Sequence, residues 1–105
     1  MGLLVVFGRS PWAADWGFVL DVTKRIVGKG EKVSVLHVQD ACIAVTMSEY
    51  CEKLGDSHVE VYALRVDCEA RGLVEKVSGK VKLVDYRQWV RLVMDEHDRI
   101  VSWTS

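Results

Sequence analysis

The pattern of apolar and polar positions changes period in the middle of VEVYALRVDCEARGL, residues 59–73. Val59, Val61 and Ala63 alternate with Glu60, Tyr62 and Leu64, which predicts a strand buried on at least one face. Asp67 then has the character of a helix N-cap, and Gly72 that of a left-handed stop, so a short helix should follow the strand. Residues 65–68 (Arg65, Val66, Asp67, Cys68) become a strand-to-helix turn, the place where open α/β sheets hold ligands.

Elsewhere the periods alternate in the same way. Residues 3–7 form a continuous apolar run of the kind found in a central parallel strand covered on both faces. Gly8 and Arg9 turn the chain, and Ser10 as N-cap with Pro11 at the first helical position opens a helix. Trp12, Trp16, Val19, Leu20, Thr23, Ile26 and Val27 give that helix its stripe, and Gly28 or Gly30 ends it. Residues 32–38 predict the second strand. Asp40 should cap the next helix, with Ile43, Met47, Tyr50, Cys51 and Leu54 inward and Gly55 as its stop. Residues 73–77 add a helical turn and residues 81–84 a short fourth strand. Asp85 and Gln88 have capping-box spacing for a helix over 86–96, with Trp89, Val90, Val93 and Met94 inward. Arg99–Trp103 is the last strand. The expectation is an α/β fold with a five-stranded, mainly parallel sheet, helices on both faces and right-handed crossovers.

Such a sheet gathers the strand C-terminal ends on one edge: Gly8, Arg9 and Ser10; Gln39, Asp40, Ala41 and Cys42; Arg65, Asp67 and Cys68; Asp85 and Tyr86. Helix N-termini there favour negative charge and ease thiol ionisation. Cys42 and Cys68 meet this condition, whereas Cys51 lies well along a helix. Arg65 and Arg71 offer themselves to an anion or to a partner's carboxylate, with a salt bridge to a nearby acid as the plainer use. Capping alone accounts for Ser10, Asp40, Asp67 and Asp85. His37 in a strand and His97 in a charged turn read as structural, and no metal ligand set or cofactor motif is seen.

Composition narrows the function classes. The 105 residues fit one domain over 1–105, and a formal net charge of −1 argues against tight nucleic-acid binding. Lys76, Lys80, Lys82, Arg87 and Arg91 near Tyr86 and Trp89 invite an RNA-facing reading, but acidic residues offset them and a solvated face explains them. An odd number of cysteines, three, without a secretory signal predicts reduced thiols in the cytoplasm. The N-terminal apolar run is too short to span a membrane. Four tryptophans in a small domain point to burial or to a subunit interface.

RSPW near the start, QDA after the second strand, YALRVDCEARGL, VKLVDY and the terminal EHDRIVSW stand in the order and spacing of DsrH/TusB proteins. Over nearly the whole chain the sequence resembles this family of the DsrE/DsrF/DsrH sulfur-relay superfamily. The resemblance implies a three-layer α/β/α domain that associates with itself or with DsrE- and DsrF-like subunits, passing persulfide sulfur between cysteines. The resemblance implies that this sulfur goes either toward 2-thiouridine in tRNA or into sulfur oxidation, with a downstream sulfur-carrier protein as a further expected partner. Some family members carry a cysteine at the position of Val19, and the DsrE-like cysteine falls at Leu64. Cys42 and Cys68 stand where relatives usually have aliphatic residues.

Three readings follow. The chain is a mainly structural relay subunit whose neighbour holds the catalytic cysteine. Alternatively it is a homo-oligomeric carrier using Cys42 or Cys68, each of which is equally explained as a packed apolar residue. The third is a small-ligand module on the same sheet edge, with Arg9, Ser10, Gln39, Asp40, Arg65, Asp67, Arg71, Asp85 and Tyr86 as its candidate binding residues.

Overall fold

In β1 (Gly2–Phe7) every residue is buried, as a strand does when both faces of its sheet are covered. A computed structural model describes residues 2–8, 21, 25, 32–47, 49–52, 59–96 and 99–103. The first-helix stripe (Trp12, Trp16, Val19, Leu20, Thr23, Ile26, Val27) and the stops at Gly28, Gly30 and Gly55 lie outside the described residues; Asp21 and Arg25 within that span are helical and exposed.

β2 (Lys32–His37), β3 (Glu60–Leu64), β4 (Lys82–Val84) and β5 (Arg99–Trp103) join β1 in a five-stranded sheet of order β4-β3-β2-β1-β5. All four pairings are parallel. The register sets Val5 beside Val35 and Val101, and Val35 beside Val61. Because side chains alternate with a period of two, each strand supplies both faces. Leu3, Val5, Phe7, Val33, Val35, Val61 and Ala63 enter one cluster, while Leu4, Val6, Leu36, Leu64 and Val84 enter the other.

Different elements cover the two faces. A 3₁₀ helix (Gln39–Thr46) and α1 (Arg65–Ala70) bring Ala41, Cys42, Val45 and Cys68 to the first cluster, together with Cys51 from helical residues 49–52. α2 (Tyr86–Arg91) and the π-helical turn Leu92–Glu96 bring Trp89, Leu92 and Val93 to the second. Right-handed crossovers require this division: β2, β3 and β4 step one way across the sheet, whereas the connection from β4 to β5 returns the other way.

The capping box forms as the spacing predicts. Asp85 Oδ1 accepts from Gln88 N–H at 2.8 Å, and Gln88 Oε1 accepts from Asp85 N–H at 2.9 Å. Gly72 has φ 66 and lets the N–H groups of Gly72 and Leu73 return to the carbonyls of Glu69 and Cys68.

Three expectations are corrected. Neither Asp40 nor Asp67 is an N-cap; Val38 and Leu64 hold those positions without side-chain caps, and both aspartates lie in first helical turns. Residues 39–46 are 3₁₀ rather than α, and Met47, set inward by the pattern, is 43% exposed. Over α2 and the π-helical turn the inward stripe is Trp89, Leu92 and Val93, while Val90 and Met94 are 57% and 72% exposed. The expected and observed stripes share Trp89 and Val93, and an i, i+3, i+4 spacing fits Val90, Val93 and Met94 as well as Trp89, Leu92 and Val93, so period alone does not choose between them.

Candidate functional site at the carboxyl edge of the sheet

All five strands end on one edge, and the corner after β2 meets the corner after β3. Gln39 has φ 51, a left-handed conformation that costs a side-chain-bearing residue about 1 kcal/mol. Its N–H is fixed by Asp67 Oδ2 at 2.8 Å. Arg71 reaches back from α1 to Asp40 Oδ1 through Nη2 at 3.2 Å, while its Nη1 donates to the Asp67 carbonyl at 3.3 Å. The Asp40 carboxylate is 65% exposed, so this pair contributes little to stability, at most about 1 kcal/mol. Gln39, Asp40, Asp67 and Arg71 thus form one polar junction between the two corners.

Beneath this junction lie two thiols. Cys42 and Cys68 have no exposed surface, and their thiols are close enough to influence each other's ionisation. Cys42 Sγ also lies 3.7 Å from the His37 carbonyl oxygen, to which it can donate. The contact with Cys68 and burial hold the Cys42 thiol above its ordinary range. The same contact draws Cys68 down, with burial opposing and Arg71 and Arg65 assisting. The contact thus moves the two thiols in opposite directions, Cys42 up and Cys68 down. Cys51 is also buried; its sulfur lies 3.5 Å from the Val45 carbonyl oxygen, and burial raises its pKa.

His37 closes the same cluster. Its Nδ1 lies 2.9 Å from the Tyr62 carbonyl, which accepts only, so Nδ1 carries the proton and donates. Nε2 then accepts from the Tyr50 hydroxyl at 2.6 Å. Burial lowers the His37 pKa to about 4, and burial likewise raises Tyr50. Phe7 and Tyr50 meet the imidazole edge-on.

On the opposite face a cavity of about 530 Å³ opens between α2 and the sheet. Val6, Val38, Leu64, Trp89, Val93 and Ile100 give it apolar walls, with Gln39, Asp67, Tyr86 and Ser102 as its polar groups. The indole Nε1–H of Trp89 is buried without a hydrogen-bond partner.

The edge thus unites most of the residues singled out from the sequence, in two groups. Gln39, Asp40, Asp67, Arg71, Cys42 and Cys68 make the junction, and Gln39, Asp67 and Tyr86 also line the cavity. Asp85 is occupied by capping, and Arg65 is exposed. Arg9, Ser10 and His97 lie outside the described residues. The His37–Tyr50 bond and the cavity had no sequence signal beyond a histidine at an inward strand position. Among the described residues no group of three or more His, Cys, Asp or Glu is placed to hold a metal ion.

Comparison with known proteins gives the chain a family. Residues 10–99 match the family described as DsrH like protein. The chain belongs to the DsrH family. It is 33% identical to Protein TusB of Escherichia coli strain K12 over 101 residues, covering 96% of this chain and all of that one. Protein TusB of Photorhabdus laumondii is 33% identical over 102 residues, with the same coverage. The crystal structure of the ychN protein from E. coli superposes with a TM-score of 0.83 over 98% of this chain and 99% of that one. At 13% identity that likeness bears on the fold of this DsrH-family chain alone. No helix among the described residues is long and apolar enough to cross a membrane.

Proposed function

We propose that this DsrH-family chain is a subunit of a sulfur-relay complex, acting mainly as a structural partner in persulfide transfer toward 2-thiolation of the tRNA wobble uridine. Similarity to the TusB proteins favours that branch over sulfur oxidation. One observation carries the structural role: Cys42, Cys51 and Cys68 each have no exposed surface. A persulfide carrier needs a thiolate that a donor can reach and an acceptor can then attack. In this reading a cysteine of a DsrE- or DsrF-like neighbour does that work. Its thiolate attacks the outer sulfur of a donor persulfide; the new S–S bond forms as the old one breaks, and the donor leaves as thiolate. The chain shapes the docking surface, for which exposed Tyr86, Val90, Met94, Ile100 and Val101 on α2, the π-helical turn and β5 are suited. Three free thiols match a reducing compartment, the cytoplasm.

The test is replacement of Cys42 and Cys68 together by serine in the assembled complex. Sulfur transfer should persist; its loss with assembly intact overturns the reading. A second reading, a homo-oligomeric carrier working through Cys68 or Cys42, draws on the Cys42 contact that lowers the Cys68 pKa. Intact mass after a persulfide donor, with peptide mapping, separates the two: a reductant-sensitive, transferable single-sulfur increment on either residue supports the carrier.

A further inference from the structure

The two outer strands of the sheet are built differently. β4 has three residues, begins on exposed Lys82 and ends on buried Val84. Short length and an edge lysine are common protections against pairing with another chain. β5 has neither. Its five residues lie beside β1, with no strand on the outer side among the described residues. Arg99, Ile100, Val101 and Ser102 are all exposed, although successive residues of a strand point to opposite faces. Ile100 is 45% and Val101 38% exposed, whereas their register partners on β1, Leu4 and Val5, are buried. Cover therefore stops at β1 on both faces of the sheet. No backbone hydrogen bond outside the sheet reaches Ile100, Val101 or Ser102 among the described residues. An apolar edge in this state is a template for another strand.

The sequence of β5 is complementary to itself. Residues directly opposite each other in a ladder share a face, so a strand meeting its own copy antiparallel is centred on a residue, never between two. Centring on Val101 is the choice that pairs all five residues: Val101 stands opposite Val101, Ile100 opposite Ser102 and Arg99 opposite Trp103. Apolar residues meet at the centre, and no charge stands opposite a like charge. A parallel copy in register would set Arg99 beside Arg99, and each repeat of that step would leave a fresh open edge, whereas a two-fold arrangement closes. We propose that β5 pairs antiparallel with β5 of a second copy of this chain, about a two-fold axis through Val101, joining the two sheets edge to edge. The pairing uses the outer rim of the strand. Tyr86, Val90 and Met94, exposed on α2 and the π-helical turn, stay open to a DsrE- or DsrF-like neighbour.

A residue that stands opposite its own copy allows a charge-swap test, read by sedimentation equilibrium of the full-length chain in reducing, low-salt buffer. The wild type should pass from 11.9 kDa toward twice that mass with a Kd on the order of 10–100 μM, as suits a small interface. Val101→Lys and Val101→Glu each set like charges opposite one another and should weaken self-association by roughly tenfold or more. An equimolar mixture of the two sets lysine opposite glutamate and should associate again. The site is partly exposed, where folding tolerates a charge, and far-UV circular dichroism checks each variant alone. Ile100→Lys, whose counterpart is Ser102, should weaken association less. A wild type still monomeric at about 500 μM overturns the proposal, even where β5 binds a DsrE- or DsrF-like subunit instead. Single variants that associate as tightly as the wild type, or a mixture that stays apart, overturn it as well. Sulfur transfer by the assembled complex is measured separately through Cys42 and Cys68, so either reading can fail alone.

Discussion

Acidification should unfold this protein through His37 more than through any exposed group. The imidazole is fully buried, and its pKa falls from 6.5 to about 4. Above pH 6.5 the folded and unfolded side chains are both neutral, and stability is at its plateau. As the pH falls from 6.5 toward 4, the unfolded chain takes up a proton that the folded chain does not, so stability is lost at about 1.4 kcal/mol per pH unit. Below about pH 4 both states are protonated and the loss ends. Over the whole window it amounts to about 3 kcal/mol. That is a large share of the roughly 5–15 kcal/mol by which domains are stable. The assay is urea unfolding followed by tryptophan fluorescence between pH 7 and about 4 for the wild type and for His37→Gln. Glutamine can still donate to the Tyr62 carbonyl and accept from Tyr50, but it does not titrate. The other ionisable groups largely cancel in the difference between the two curves. That difference should shrink steadily as the pH falls through the window. A difference constant with pH refutes the reasoning.

Three further outcomes are expected. Gly72→Ala should cost about 1 kcal/mol in denaturant unfolding through its left-handed backbone alone, because a Cβ there meets nothing within 4 Å. Asp85→Ala removes one arm of the capping box and strands the other, which should lower stability by about 1 kcal/mol and increase hydrogen exchange at the Gln88 amide. Iodoacetamide should alkylate Cys42, Cys51 and Cys68 only as fast as the chain unfolds, read by mass spectrometry with and without urea; rapid native-state labelling of any one would contradict its burial.

Much of the fold was legible because it is written in local patterns. Val33 and Val35, and likewise Val59, Val61 and Ala63, recur every second residue and all enter the same cluster. The capping box was readable because both partners lie within four consecutive residues. Asp40 and Asp67 misled for the opposite reason. A carboxylate at the start of a helix looks the same in sequence whether it serves its own turn or a neighbouring corner, and here Asp67 serves Gln39 and Asp40 serves Arg71. The 3₁₀ form of residues 39–46 follows a β-branched-rich stretch, Ile43, Val45 and Thr46, that favours the α-helix weakly. Cys42 and Cys68 were each placed on the sheet edge, but their meeting depends on β2 lying beside β3. The cavity was hidden more deeply, since its walls come from β1, β3 and β5, from the corners after β2 and β3, and from the helical segment that follows β4.

The place of β1 in the sheet governs when the sheet can be completed. β1 is the strand made first, yet one of its neighbours is β5, so Val5 waits for Val101, 96 residues later. At synthesis rates of about 5–20 residues per second, that flank of β1 stays open for roughly 5–20 seconds after β1 is made. β2, β3 and β4 can add to the other flank in turn, but the β5 side is sealed only after nearly the whole chain has been made. The apolar residues of β1 must therefore be shielded during that interval, whether by the growing chain or by a chaperone.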